Sequence, residues 1–187
     1  MRRILIPALM ITLLLSGCGG AAPERRLEEA RAALREAGEI RVTADVTANL
    51  ENDEVFACTL ECTATPEQMR VTITAPESVA GVSAVTDAQG TRLEYGDMSL
   101  GIGRSEDAPA PVTALPMLLR ALQSGSTLRS WTEWERERTL FVREYYVTDE
   151  CSLSVWLDGT TLSPSHAEFV QDGRVAVRCE IRDFSYE

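Results

Sequence analysis

From Ile40 onward this chain is written mostly in a period of two. Ile40-Arg41-Val42-Thr43-Ala44-Asp45-Val46 alternates apolar and polar residues. Phe56, Cys58, Leu60 and Cys62 then share one face, with Val55, Ala57, Thr59 and Glu61 on the other. Met69, Val71 and Ile73 follow and stop at Pro76. Successive strand side chains point to opposite faces, so such runs make strands with one apolar side. Val79–Thr86, Thr91–Tyr95 and Met98–Ile102 continue the series, with turn signals at Asn52-Asp53, Asp87–Gly90 and Gly96-Asp97. Five more strands are expected near Leu128–Glu135, Thr139–Val147, Cys151–Leu157, Ala167–Gln171 and Arg174–Phe184. Asp149-Glu150, Asp158-Gly159 and Asp172-Gly173 mark turns among them, and Asp-Gly between alternating runs is a strong hairpin signal. Connections this short join antiparallel neighbours and leave no room for parallel crossovers.

Two segments depart from this period. Over Glu24–Ala37, Leu27, Ala30, Leu34 and Ala37 recur at helical spacing, with Pro23 suited to the first turn and Gly38 to the stop. After a loop over Gly103–Pro111, Thr113 is expected to cap a second helix. Its stripe is Leu115, Leu118, Leu119 and Leu122, and Ser124-Gly125 ends it. The expected fold is α+β, mainly β: a curved antiparallel half barrel of about 11 strands, with an N-terminal and a central helix on its concave face. Phe56, Leu60, Val71, Ile73, Val155, Leu157, Val177 and Ile181 are the candidates for the apolar side of the sheet. The two helices offer few large side chains, so the expectation is a hollow they do not fill.

The first residues set location. Met1-Arg2-Arg3 is basic, Ile4–Leu15 is apolar, and Leu15-Ser16-Gly17-Cys18 follows. A charged start, an apolar run of roughly 7–15 residues and a small-residue cut site form a secretory signal, too short to span a bilayer comfortably. Leu-Ser-Gly-Cys resembles the bacterial lipobox, which implies a diacylglyceryl group on the Cys18 thiol and cleavage before it. The expected division is a signal peptide over 1–17, a lipidated tether over 18–23 and one domain over 24–187. The expected location is the extracytoplasmic face of a cell membrane, or the outer membrane in a diderm.

Charge excludes some partners. The chain has 18 basic and 29 acidic residues and no lysine. Loss of Arg2 and Arg3 with the signal leaves a net charge of −13. There is no basic footprint for nucleic acid, and anionic headgroups repel such a domain, so lipid must do the anchoring. The tether Gly19–Pro23 reaches less than about 20 Å when extended at ~3.5 Å per residue, which holds the domain close to the membrane.

The element order resembles the LolA-like group of envelope proteins. So do the stretch Arg70-Val71-Thr72-Ile73-Thr74-Ala75-Pro76-Glu77 leading into Ala80-Gly81-Val82, and Leu93-Glu94-Tyr95-Gly96. The group includes a soluble lipoprotein carrier, its anchored receptor, mycobacterial lipid-binding lipoproteins and GerS-like germination lipoproteins. The resemblance implies an eleven-stranded half barrel plugged by helices. The soluble carrier lacks a lipobox, so anchored members fit better. It implies a non-catalytic role, either holding an envelope protein partner, as GerS-like members do, or taking an acyl chain into the hollow.

Several other residues have chemistry of their own. Cys58, Cys62, Cys151 and Cys179 lie on apolar strand faces, where buried free thiols are favoured over disulfides and over zinc. Cys58–Cys62 is too far apart for a bridge along a straight strand. His166 follows Ser163-Pro164 and reads as a surface or turn residue, because a Ser-His pair needs an orienting group and an oxyanion hole. Trp131 and Trp134 must point to opposite faces, leaving at least one half exposed. Glu133, Glu135, Glu137 and Glu144 alternate with Arg136, Arg138 and Arg143 and read as a solvated face of cross-strand ion pairs. No cofactor or metal is implied. The acyl-chain reading places its ligand against Leu115, Leu118, Leu119, Leu122, Phe56, Leu60, Val155 and Leu157.

Overall fold

The computed structural model describes residues 21–50, 54–103 and 109–187. Helix α1 (Ala21–Glu36) leads into β1 (Ile40–Asn49), β2 (Val55–Ala64), β3 (Gln68–Ala75), β4 (Ser83–Asp87), β5 (Gly90–Tyr95) and β6 (Met98–Gly103). Helix α2 (Pro111–Ser124) follows, then β7 (Thr127–Glu135), β8 (Arg138–Thr148), β9 (Cys151–Asp158), β10 (Pro164–Gln171) and β11 (Arg174–Tyr186). All eleven strands form one open antiparallel sheet, in the order β6-β5-β4-β3-β2-β1-β11-β10-β9-β8-β7. Two meanders are thus joined along one seam, where β1 pairs with β11 from Ile40↔Tyr186 to Ala48↔Val177. Register shifts at Thr43/Ala44, Thr59/Leu60, Phe169/Val170 and Tyr146/Thr148 bend the strands. Such bulges raise local twist and curl the sheet into a half barrel.

The alternation works as expected. In β1, Ile40, Val42, Ala44, Val46 and Ala48 are all buried. The β10–β11 hairpin turns on Asp172 (φ 50°) and Gly173 (φ 74°), the paired positive values a two-residue type I′ loop demands. The β7–β8 hairpin does the same with Arg136 (φ 46°) and Glu137 (φ 65°), a left-handed pair without glycine.

Several boundaries differ from the sequence expectation. Helix α1 starts at Ala21, because Pro23 is tolerated within a first turn. β4 starts at Ser83, not Val79: the chain turns through Pro76–Gly81, with Val79 N–H donating to Pro76 and Gly81 (φ 89°) donating to Ile73. Thr113 is not the cap of α2. Extended Ala110 is, with Pro111 opening the helix, and Thr113 sits a turn in, where its hydroxyl accepts from Ala110 N–H at 2.9 Å.

The helices lie on the concave side. α2 packs against β1 to β4, β11 and α1. Its end comes so near β8 that a Cβ on Gly125 would stand 2.7 Å from the Ala121 carbonyl oxygen and 2.9 Å from Tyr145. α1 covers the other arm by burying Leu27 and Leu34. Arg26 donates to the Thr160 carbonyl at 2.7 Å, and Arg31 to those of Gln123 at 3.0 Å and Gly125. No helix among the described residues is long and apolar enough to cross a membrane. The expected signal peptide and Cys18 lie outside the described residues.

Candidate functional site: a filled concave face with uncovered margins

Strand register assembles the concave face. Leu60, Cys62 and Cys58 stand opposite Ala44, Val42 and Val46, and Ile73 and Val71 continue the rows. On the other arm Val177 and Cys179 run into Phe169 and Ala167, then Leu153 and Val155. Leu115, Leu118 and Leu119 of α2 are fully buried on these rows, and Leu122 nearly so. Leu60, Val155 and Leu157 are buried, and Phe56 packs at the rim of the same cluster. All eight residues proposed for a ligand hollow therefore share one cluster. The expectation of an unfilled hollow is corrected there: the cavity between α1, α2 and the sheet, lined by Leu27, Leu34, Leu122, Tyr145 and Leu157, measures about 20 Å³. Curvature brings the sheet rows onto the helices, so sheet side chains supply the volume that the helices lack.

The disulfide alternative is not realised, since Cys58, Cys62, Cys151 and Cys179 are all free and buried. Cys58 and Cys179 flank Val46 from opposite sides. They are thus two strand spacings apart, roughly 9.6 Å at ~4.8 Å each, beyond the ~7 Å a bridge tolerates. Burial pushes the thiols of Cys62 and Cys179 up to about 12. No group of three His, Cys, Asp or Glu among the described residues could hold a metal ion.

One charge breaks the apolar face. Arg143 lies on the concave side opposite Val155, is 3 % exposed, and meets Glu24 and Glu28 of α1. This corrects its assignment to a solvated strand pair, and makes it the electrostatic latch of the N-terminal helix.

The convex face carries a cluster the sequence did not announce. Trp131 and Trp156 flank Val142 from adjacent strands. Both indole N–H groups donate to Glu133, at 2.7 and 2.8 Å, and hold its carboxyl below the usual range. Glu133 thus serves two tryptophans and not an arginine, whereas Glu144 does pair with Arg129 and Glu135 with Arg136. His166 is not a turn residue: β10 begins at Pro164, and the imidazole stacks on Trp156 with centroids 4.3 Å apart. Ser165 Oγ is 3.2 Å from His166 Nδ1, but its proton goes to the Trp156 carbonyl at 3.1 Å. With the hydroxyl proton on that carbonyl, Nδ1 is the donor to Oγ, the reverse of base catalysis. Beside the pair runs a polar groove of about 570 Å³ lined by Glu135, Arg138, Asp158, Arg178 and Glu180.

Burial lowers the His166 pKa. As pH falls from the free imidazole value near ~6.5, the unfolded chain takes up a proton that the folded chain resists, so stability should drop in that window and return above it. His166→Phe, which keeps the stack, should flatten that limb. Urea midpoints of both proteins across pH 7 to 5 check this (a window set by the ordinary imidazole value), and parallel curves would count against it.

The concave side is uncovered at its margins. On the β5–β6 hairpin Tyr95, Met98 (68 %) and Leu100 (65 %) are exposed on the face that carries Val71 and Ala84 further in. At the opposite edge Trp134 is 73 % exposed while Trp131 is tucked away, as their spacing predicts.

An open eleven-stranded antiparallel half barrel with two helices on its concave face is the fold that the LolA-like resemblance implies. Solved structures share it. A domain from Vibrio parahaemolyticus, named for outer membrane lipoprotein sorting, superposes with a TM-score of 0.52 at 14 % identity, over 88 % of this chain and 93 % of that one. A conserved protein from Thermus thermophilus gives 0.55 at 11 % identity, over 88 % and 87 %. A DUF1329 family protein from Desulfovibrio piger gives 0.52 at 10 % identity, over 87 % and 91 %. At these identities the likeness concerns the fold. The sequence matches no family model and no curated protein.

Proposed function

We propose that the chain is a lipid-anchored, non-catalytic envelope lipoprotein that holds a protein partner on its outer surface. The observation that carries this reading is the filled interior. Ligand pockets for drug-sized molecules occupy roughly 300–1,000 Å³, and the space beneath the helices is about 20 Å³. An acyl chain there would have to displace Leu115, Leu118 and Leu119. What remains free on the concave side is the margin. β6 is an edge strand whose described exposed residues, Met98, Ser99, Leu100 and Gly101, carry no charge. Uncharged edge strands are templates for an added strand, which natural proteins otherwise block with charge. The opposite edge, β7, is protected by Arg129, Glu133 and Glu135.

Residues 19–187, purified and measured by native mass spectrometry, should show a clean apo mass. Co-purifying fatty acid or phospholipid would instead establish the acyl-carrier reading. Proteins crosslinked to the native lipoprotein in cells should be lost with Leu100→Arg at unchanged melting temperature. Retention of the same crosslinks would remove β6 from the reading.

A further inference from the structure

The end of the sheet where α1 begins has a composition of its own. Ala21, the first described residue, is three positions after Cys18. Arg26, one turn further, is fixed to the β9–β10 turn through the carbonyls of Gly159 and Thr160. That turn is fixed in its turn to β8, where Gly159 N–H donates to the Thr139 carbonyl at 2.8 Å. A Cβ on Gly159 would lie 2.7 Å from that same oxygen, so the two turns are locked together. Thr139 pairs directly with Trp134. The start of α1, the β9–β10 turn and Trp134 are therefore one rigid end of the molecule. Gly159, Thr160, Thr161 and Leu162 carry no charge, and Trp134-Glu135-Arg136-Glu137-Arg138 carries as many positive as negative charges, in a chain of net −11.

We infer that this end rests on the lipid surface, with Trp134 as a second contact that enters the headgroup region and fixes how the anchored domain is oriented. The inference rests on the proposed Cys18 anchor. Three positions of chain leave the backbone of Cys18 no more than roughly 11 Å, at ~3.5 Å per residue, from the start of α1, so this end faces the bilayer. Tryptophan is the side chain most suited to that boundary, because its ring is apolar and its indole N–H is satisfied there by water and headgroups. The charges on Trp134's own turn balance, while Asp158 and the first turns of α1 (Glu24, Arg25, Arg26, Glu28 and Glu29) leave this end net negative, so the contact is made by the apolar ring and not by charge. Trp134 stands apart from the other two tryptophans, whose indole N–H groups are already spent on Glu133 on the opposite face. It projects 73 % exposed from its strand, and the turn beside it spends two left-handed non-glycine residues.

The test uses the full lipidated chain in phosphatidylcholine vesicles, with bromine on the acyl chains as the quencher. Vesicle flotation reports the anchor, and tryptophan quenching reports the contact. Wild type should float and be quenched. Trp134→Phe should float equally with the quenching lost, while Trp131→Phe keeps it. Flotation without quenching, or quenching that survives in Trp134→Phe, would overturn the contact and leave the anchor standing. A chain that fails to float refutes the anchor and the contact with it.

Discussion

Leu119→Ala should lower the unfolding free energy by about 2–5 kcal/mol, the range for truncating a buried leucine. Three observations place it in that range. Leu119 has no exposed surface, and its neighbours along the stripe, Leu115 and Leu118, have none either. The rows facing it, from Ala44 and Leu60 across to Cys179, belong to the central hydrogen-bonded strands, which have little freedom to collapse into a void. Finally, α2 has little room to shift. Its C-terminal end is already in contact with Tyr145 at Gly125, and Arg31 and Gln123 tie it to α1. Leu128→Ala is the control: that side chain is exposed on β7, and surface changes usually stay within about 0.5 kcal/mol. Guanidinium titration of both variants gives the comparison. Equal midpoints would mean that α2 is a loosely held lid and would reopen the acyl-chain reading.

Eleven strands and two helices could be read from the sequence because alternation is local and tight turns carry their own chemistry. Asp172-Gly173 is the clear case: a two-residue loop with positive φ at both positions is what that dipeptide favours. The β7–β8 turn shows the limit, since Arg136-Glu137 adopts the same geometry with no glycine or asparagine to announce it. The helix cap was misplaced for a related reason. Thr113 is the better capping residue by type, yet Pro111 sets the first turn and leaves Thr113 to reach back to Ala110. The convex cluster was hidden because it depends on register: Glu133, Trp131, Trp156 and His166 lie on three strands and meet only once β7, β8, β9 and β10 are aligned. Arg143 did leave a trace. It stands between Phe141 and Tyr145 on an otherwise apolar face, and a break of that kind marks either an error of phase or a buried charge with partners. The filling of the hollow left none, since it depends on how far bulges curl the sheet.

Arg143 also connects the fold to the proposed anchor. Its guanidinium is buried, while Glu24 and Glu28 that pair with it are half-exposed on α1. The latch, with Leu27 and Leu34, binds the first helix to the sheet only a few residues after Cys18. If Cys18 is lipidated as proposed, a pull on that lipid would reach the β-sheet through this latch.

Cys18→Ala should abolish membrane attachment. Once residues 1–17 are removed, nothing among the described residues replaces the lipid: the secreted part would carry a net charge of −13 without one lysine, and a single aromatic contact such as Trp134 is weak beside acyl chains that contribute about 0.8 kcal/mol per buried methylene. One chain gives marginal binding and two or more hold stably, so the change should be close to all-or-none. Wild type should partition into detergent and carry a diacylglyceryl mass on its N-terminal peptide. The variant should lack that mass, and either run with the aqueous phase or keep residues 1–17 uncut. Measuring the N-terminal peptide by mass spectrometry separates these last two outcomes, which partitioning alone confuses because an uncut signal is itself apolar. Equal detergent partitioning of both proteins, with the same cleaved N-terminus and no lipid mass on either, would mean that Cys18 is not the anchor and that the domain meets its membrane by another route.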